Sequence, residues 1–530
     1  MIGTRRGRRE GRLLGLLMVG VVALVAASFA EAVPGLTQAS AARAAGESGT
    51  LTVGEVGPPT TMNPEKLDNN GGDVQFAEMA YDPLVNLTAA GKYAPDLATS
   101  WGYVGSGNTE FQFKIRSGVK FSDGTTMTAQ DVVKTIDAEV NSGTTCASDL
   151  KTLTSATASG STVDLQFSAP VAEAYSLFDQ SAICGDIVGP QATGTSTDGA
   201  GPYELESSAT VTDSSYVFVP NPDYWNTSLK RYSKVVLDVY QTPQAELNAA
   251  LSGQIDEMST EDSTQVPAAQ RAGLKIYSVP SGIQALFLTD FNGTLVPALK
   301  NQKVRQAISY AIDRKALARA LYGQYAQPND EMILPGYLGY VPSMSNYFAY
   351  NPKKAKQLLK EAGYPNGFSM TMIASSGVGY ENTTQTVASD LGKIGIQVTL
   401  KQDPTHNEAV IDLFNGKYPS FVWGNGGQDL PVQAPELYGP QALFNPFHNS
   451  ETEMVDLLNK ANSTSGTQAT KLYQQAETYQ LKQAWDLALL DDDGLVFAKP
   501  GMISNLQIGL PKYPEGGSED IAFWSPGKAA

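Results

Sequence analysis

Cysteine and histidine are almost missing from this chain: two of each in 530 residues. Cys146 and Cys184 cannot build a cysteine-rich metal centre, and His406 and His448 lack the number and spacing of a zinc site. A lone histidine is ordinarily structural. Two cysteines fit one disulfide in an oxidising compartment, and two buried free thiols fit as well. Positive charge is also short, with 37 Lys and Arg against 54 Asp and Glu. Such an acidic chain is a poor partner for nucleic acid, whose phosphates demand basic side chains. The chain lacks a G-x-S-x-G elbow, a phosphate-binding G-x-x-x-x-G-K-[ST] loop and an H-E-x-x-H helix. These absences leave catalysis without support, and no cofactor and no metal are expected.

What is present is an ordinary globular composition, 42% hydrophobic and 17% charged. The length exceeds what one core supports and predicts two or three domains. Arg5, Arg6, Arg8, Arg9 and Arg12 precede an apolar run from Leu13 to Ala30. That order, with Ala30-Glu31-Ala32 or Ser28-Phe29-Ala30 as a small-x-small site, predicts a secretory signal peptide over residues 1–32. An uncleaved anchor is the alternative, since the run could just cross a bilayer. Residues 1–32 hold five of the basic and two of the acidic groups, so the rest carries about −20, a charge that favours solubility. An Ala-, Gly- and Ser-rich linker follows, within residues 33–50.

The chain is organised around Phe111–Val132, FQFKIRSGVKFSDGTTMTAQDV. Phe111, Phe113 and Ile115 alternate with Gln112, Lys114 and Arg116, the period of a half-buried strand. Asp123-Gly124 marks a turn. Thr128 and Asp131 form a weak capping box ahead of Val132, Val133 and Ile136 at helical spacing. Strand, turn, strand and capped helix are therefore predicted. This run closely resembles the signature of extracytoplasmic solute-binding proteins of ABC importers, in the family that binds peptides, nickel and some oligosaccharides. The resemblance continues through residues 81–101, Gly199–Tyr203, Asn221–Trp225, Lys303–Arg314 and Asn351–Phe368. Glu246–Ser252 reads as a helix closed by Gly253, and Asn351-Pro352 as the start of one ended by Gly363. Arg305 and Arg314 read as solvated helix charges or as a structural salt bridge.

The resemblance implies an α/β, two-lobe periplasmic-binding-protein-like (type II) fold with an extra subdomain inserted in a discontinuous first lobe. The expected division is 51–83 for lobe one, 84–195 for the inserted subdomain, 196–282 for lobe one again, 283–493 for lobe two and 494–530 for the return to lobe one. It also implies that the loop after the first strand lines the cleft, which nominates Pro59, Thr60 and Thr61. Phe287 is a further candidate, at the point where the chain turns helical. Trp423 is a cleft wall or a core anchor, followed by Asn425 in a glycine-rich loop. Family members that bind peptides hold the amino end with an aspartate close after this Trp; here the nearest acid is Asp429, an ammonium partner or a surface carboxylate. The acidic run Asp491-Asp492-Asp493 reads as solvated, before a strand at Leu495–Phe497.

The implied function is to capture an extracytoplasmic solute, an oligopeptide first of all, between closing lobes and to deliver it to ABC permease subunits, as a monomer. An oligosaccharide or chelated nickel is the alternative cargo. A secreted hydrolase and a sensor without a transporter are the rival functions. No lipidated Cys follows the signal segment, so a lipid tether is not expected.

Overall fold

The computed structural model describes residues 49–67, 71–87, 92–179, 184–229, 231–374, 380–402, 406–427, 429–449, 451–506 and 521–529. The expected export signal and nearly all of the linker lie outside the described residues. Eleven strands join one sheet. In chain order they are β1 (Thr50–Val56), β2 (Tyr203–Leu205), β3 (Ser215–Pro220), β4 (Lys234–Tyr240), β5 (Glu257–Thr260), β6 (Lys275–Phe287), β7 (Ala326–Pro328), β8 (Ser369–Ile373), β9 (Gln397–Lys401), β10 (Phe421–Asn425) and β11 (Asp486–Ala498). Across the sheet they run β9-β8-β10-β6-β11-β5-β1-β4-β3-β2, with β7 also on β11.

Two of these strands organise the rest. β6 and β11 pair antiparallel from Lys275↔Ala498 to Phe287↔Asp486. At one end β5 lies on the outer edge of β11, opposite Leu495–Ala498. At the other end β10 lies on the outer edge of β6, opposite Ile283–Phe287. The same two strands thus serve both lobes, and they are the two chain crossings. Their register shifts at Pro280/Gly282 and Gln284/Ala285, bulges that raise the local twist. A Cβ on Gly282 would stand 2.8 Å from the Asn425 carbonyl oxygen, so the close approach of β10 requires glycine.

Each lobe has its own core. Leu51, Val53, Tyr203, Leu237 and Val496 meet in the first, and Leu286, Val304, Ile308, Met372 and Leu489 in the second. In the matching run Lys303–Arg314, Val304, Ala307, Ile308 and Ala311 are buried on α1 (Gln302–Ala311). Neither arginine there is solvated. Arg305 donates to the carbonyls of Leu299 (2.8 Å) and Gln483 (2.9 Å), and Arg314 pairs with Asp330 at 3.0 Å inside the core. The helices Pro243–Ser252 and Pro352–Glu361 start on Thr242 and Asn351 caps; Gly253 at φ 75° ends the first.

The signature run builds a separate four-stranded sheet, ordered Ala98–Tyr103, Glu110–Ile115, Thr162–Phe167, Leu153–Ser159. Phe111, Phe113 and Ile115 are buried in the core of the inserted subdomain and alternate with exposed residues. The predicted second strand shrinks to a single bridge, Lys120↔Thr126, around a turn with Gly124 at φ 84°. The carboxylate of Asp131 accepts from the Thr128 N–H (3.0 Å) and hydroxyl (2.7 Å), opening helix Ala129–Val140. Cys146 and Cys184 form a disulfide, with Cα atoms 5.5 Å apart, that ties the short helix Thr145–Asp149 to the segment before Asp186.

The acidic run departs from its sequence reading. Asp491, Asp492 and Asp493 lie inside β11, and Asp492 is 5% exposed. The crossing strand begins before them, at Asp486, so the strand expected at Leu495–Phe497 is only its second half. Among the described residues no helix is long and apolar enough to cross a membrane.

Candidate functional site

Parallel β1, β4 and β5 direct their carboxyl ends toward the second lobe, as β6 does. β10 runs the opposite way and ends at Asn425, opposite Ile283, beside the crossing. The loops after β1 and after β10 therefore leave their strands at the crossing, where open α/β sheets place their ligands.

The β1 loop is pinned at both ends. Gly57 N–H donates to Tyr240 O and Met62 N–H to Gly194 O, each at 3.0 Å. Within it Pro59 is buried, Thr60 exposed and Thr61 half-buried, its Oγ1 accepting from Asn63 N–H at 3.2 Å. Thr60 is the residue of the three that offers its side chain to solvent. On β10, Trp423 is half-buried, with its ring 5.8 Å from Tyr380 and 6.1 Å from Phe414. Tyr380 closes over the strand: a Cβ on Gly424 would meet its hydroxyl at 2.2 Å. Asn425 is buried, and its Oδ1 accepts from Gly427 N–H at 3.1 Å, which shapes the loop at the φ 63° glycine.

Phe287 does not reach the cleft. It is 0% exposed, stacked on Phe444 and Phe421 with centroids 4.6 and 5.4 Å away, and belongs to the second core of lobe two. Its place in the middle of the sheet gives both faces of the strand to packing.

Asp429 caps the backbone of helix Leu430–Leu437, and its carboxylate accepts from Leu338 N–H. It also opens onto a cavity of about 540 Å³ between the inserted subdomain and the second lobe. Tyr103, Glu173 and Tyr175 form the subdomain wall; Tyr337, Asp429 and Tyr473 face them from the second lobe. Asn108 bridges the two, donating to Asn462 O at 2.7 Å and Thr464 O at 3.3 Å. Burial raises the phenol pKa of Tyr103 to about 12, helped by the Glu173 carboxylate. Burial also lifts Tyr175, Tyr337 and Tyr473, and carboxylates nearby add to it: Glu173 and Asp429 at Tyr175 and Tyr473, Asp429 at Tyr337. Sequence reasoning nominated only Asp429 of these. The tyrosines are four of 24, with no motif spacing to single them out.

The floor of the crossing is a buried polar network. Gln284 Nε2 donates to Asp492 Oδ2 (2.7 Å) and to the Tyr322 hydroxyl (2.8 Å), while Thr383 Oγ1 donates to Gln284 Oε1 (2.9 Å). Asn329 donates to Asp491 at 2.5 Å. Burial, with the Glu261 carboxylate next, pushes Asp492 up to about 8; burial takes Asp491 to about 7. Among the described residues no group of three or more His, Cys, Asp and Glu could hold a metal ion. His448 donates from Nδ1 to Pro440 O, 2.8 Å away in a loop. The His406 side chain lies outside the described residues.

Two lobes sharing two strands of one sheet, with loops that leave their strands at the crossing, define a two-lobed solute-binding protein. The chain belongs to the family described as bacterial extracellular solute-binding proteins, family 5 Middle, whose model matches residues 92–439. Among curated relatives it is 26% identical over 455 residues to the glutathione-binding protein GsiB of Escherichia coli (strain K12), covering 79% of this chain and 84% of GsiB. Among solved structures it resembles the binding protein AgaA of A. tumefaciens R10 in complex with agropinic acid. There the TM-score is 0.75 at 24% identity, over 90% of this chain and 98% of that one. The ABC transporter-associated binding protein DppA of Helicobacter pylori, in complex with the peptide STSA, gives 0.73 at 20% identity, over 91% and 98%.

Proposed function

We propose that the protein captures an oligopeptide outside the cytoplasm and delivers it to ABC permease subunits. The observation that carries this reading is the pair of shared strands, β6 and β11, together with the ligand-sized cavity between the inserted subdomain and the second lobe. A solute lying across the crossing touches both lobes only when they close, so it shifts the open–closed population by its differential affinity. Peptide backbone suits such a place, because strand ends and loops offer main-chain donors and acceptors while roomy cavities take side chains. The similarity to a glutathione-binding protein and to a peptide-bound binding protein supports peptide-like solutes over the alternatives.

Within this reading Thr60 and Trp423 line the cleft, Pro59, Thr61 and Asn425 hold its loops in shape, and Asp429 faces the cargo. The lobes divide at residues 282/283 and 493/494, on the ground that the crossing strands change their outer neighbours there. Residues 1–32 direct export and are removed, and the mature chain acts as a monomer that forms and breaks no bond of its cargo.

The test is a thermal-shift screen of the purified mature chain against pools of di- to pentapeptides, oligosaccharides and nickel chelates. A peptide at 100 times its Kd adds about 2.7 kcal/mol of stability. Stabilisation by sugars or chelates with none by peptides overturns the cargo assignment, and hydrolysis of the bound peptides overturns the transport role.

A further inference from the structure

The 540 Å³ cavity has walls from two bodies and charge of one sign. Among the described residues that line it, none is Lys, Arg or His. The high phenol pKa values keep its tyrosines neutral at physiological pH. Its charge therefore comes from Glu173 on the inserted subdomain and Asp429 on the second lobe. The two carboxylates surround one space: both act on Tyr175 and Tyr473, and the Tyr175 hydroxyl donates to Glu173 Oε1 at 2.9 Å.

Backbone conformation singles out the same wall independently. Five described non-glycine residues have positive φ, and two of them, Asn108 at 54° and Glu173 at 50°, line this cavity. Left-handed backbone is costly for side chains with a Cβ and persists where surrounding structure enforces it, often at ligand clamps. Here it sets Glu173 on the cavity wall opposite the second lobe.

We propose that the cavity takes a guanidinium or ammonium side chain of the cargo, held between Asp429 and Glu173, which makes Glu173 a specificity-determining residue. The proposal rests on the solute-binding reading and narrows its cargo to basic peptides. Two carboxylates facing a half-buried space repel, and a cation between them removes that repulsion. Tyrosine faces add cation–π attraction. Because one acid sits on each body, the cation links them, and its charge favours the closed arrangement over the open one.

The test is calorimetric titration of the full mature chain with Ala-Arg-Ala and with its neutral isostere, Ala-citrulline-Ala. The Arg peptide is expected to bind at least tenfold more tightly, with the preference weakening as salt rises. Glu173→Gln is expected to cut that preference to threefold or less while leaving citrulline-peptide affinity within twofold, and Asp429→Asn is expected to cut the preference to threefold or less as well. A thermal melt matching the parent protein within 2 °C confirms that each variant folds, and Glu173→Asp serves as the charge-retaining control if Gln does not. Equal affinity for the two peptides overturns this inference and leaves peptide capture standing. Failure of both to bind, alongside a sugar or chelate hit in the screen, overturns the peptide cargo on which this inference rests.

Discussion

At the residue scale, the chain's most unusual feature is how many carboxyls the crossing strand buries. Asp486, Asp491 and Asp492 are raised by burial to about 7, 7 and 8. A carboxyl whose folded pKa lies above its unfolded value binds more protons folded than unfolded. The folded state therefore loses stability as pH rises from about 4 to 8, and the full penalty is present above the folded pKa. Melting temperature is expected to climb as pH falls from 8 to 5, against the usual carboxylate trend. Asp492→Asn keeps an acceptor for Gln284 and removes the charge, so it should raise the melting temperature at pH 8 and flatten the profile. An unchanged slope in a pH series of thermal melts would show that Asp492 is not a source of it. The sequence hides this feature, because three consecutive aspartates look solvated until their strand is seen between two others.

At the element scale, the signature run was the most legible part. Alternation buried Phe111, Phe113 and Ile115, and Asp131 caps its helix as the Thr-x-x-Asp spacing predicts, because both patterns are local. The disulfide was not legible, since pairing depends on two segments 38 residues apart meeting with Cα atoms 5.5 Å apart. It closes a loop in the inserted subdomain whose chain entropy is worth about 3–4 kcal/mol. Reduction, or Cys146→Ser with Cys184→Ser, should lower the denaturation midpoint of the protein measurably by circular dichroism. Equal midpoints for oxidised and reduced protein would refute a stabilising role. Arg305 and Arg314 follow the same logic as the disulfide. The sequence reads both as helix charges, while only the packing of α1 against the end of the helix Gly466–Gln483, and of the following helix Arg314–Leu321 against β11, removed them from solvent.

At the scale of the whole molecule, closure depends on two strands that belong to both lobes. Gly282 sits against the end of β10, and a Cβ added there would press on the Asn425 backbone rather than on a yielding side chain. Gly282→Ala is expected to leave each lobe's core intact but to weaken solute binding several-fold through the crossing geometry. Titration with a peptide from the screen, beside circular dichroism of the unliganded protein, separates the two effects; parent-like affinity would show that the crossing tolerates the shift. The sequence by itself determined the strands, helices and caps, and through its signature the two-lobed fold, because periodicity and turn chemistry act between neighbours in the chain. Only the tertiary structure decided which of those residues meet. It withdrew Phe287 into a core, drew Asp491–Asp493 into the sheet, and set Glu173 across a cavity from Asp429. Burial and charge–charge proximity depend on segments hundreds of residues apart, and nothing in local sequence spacing encodes them.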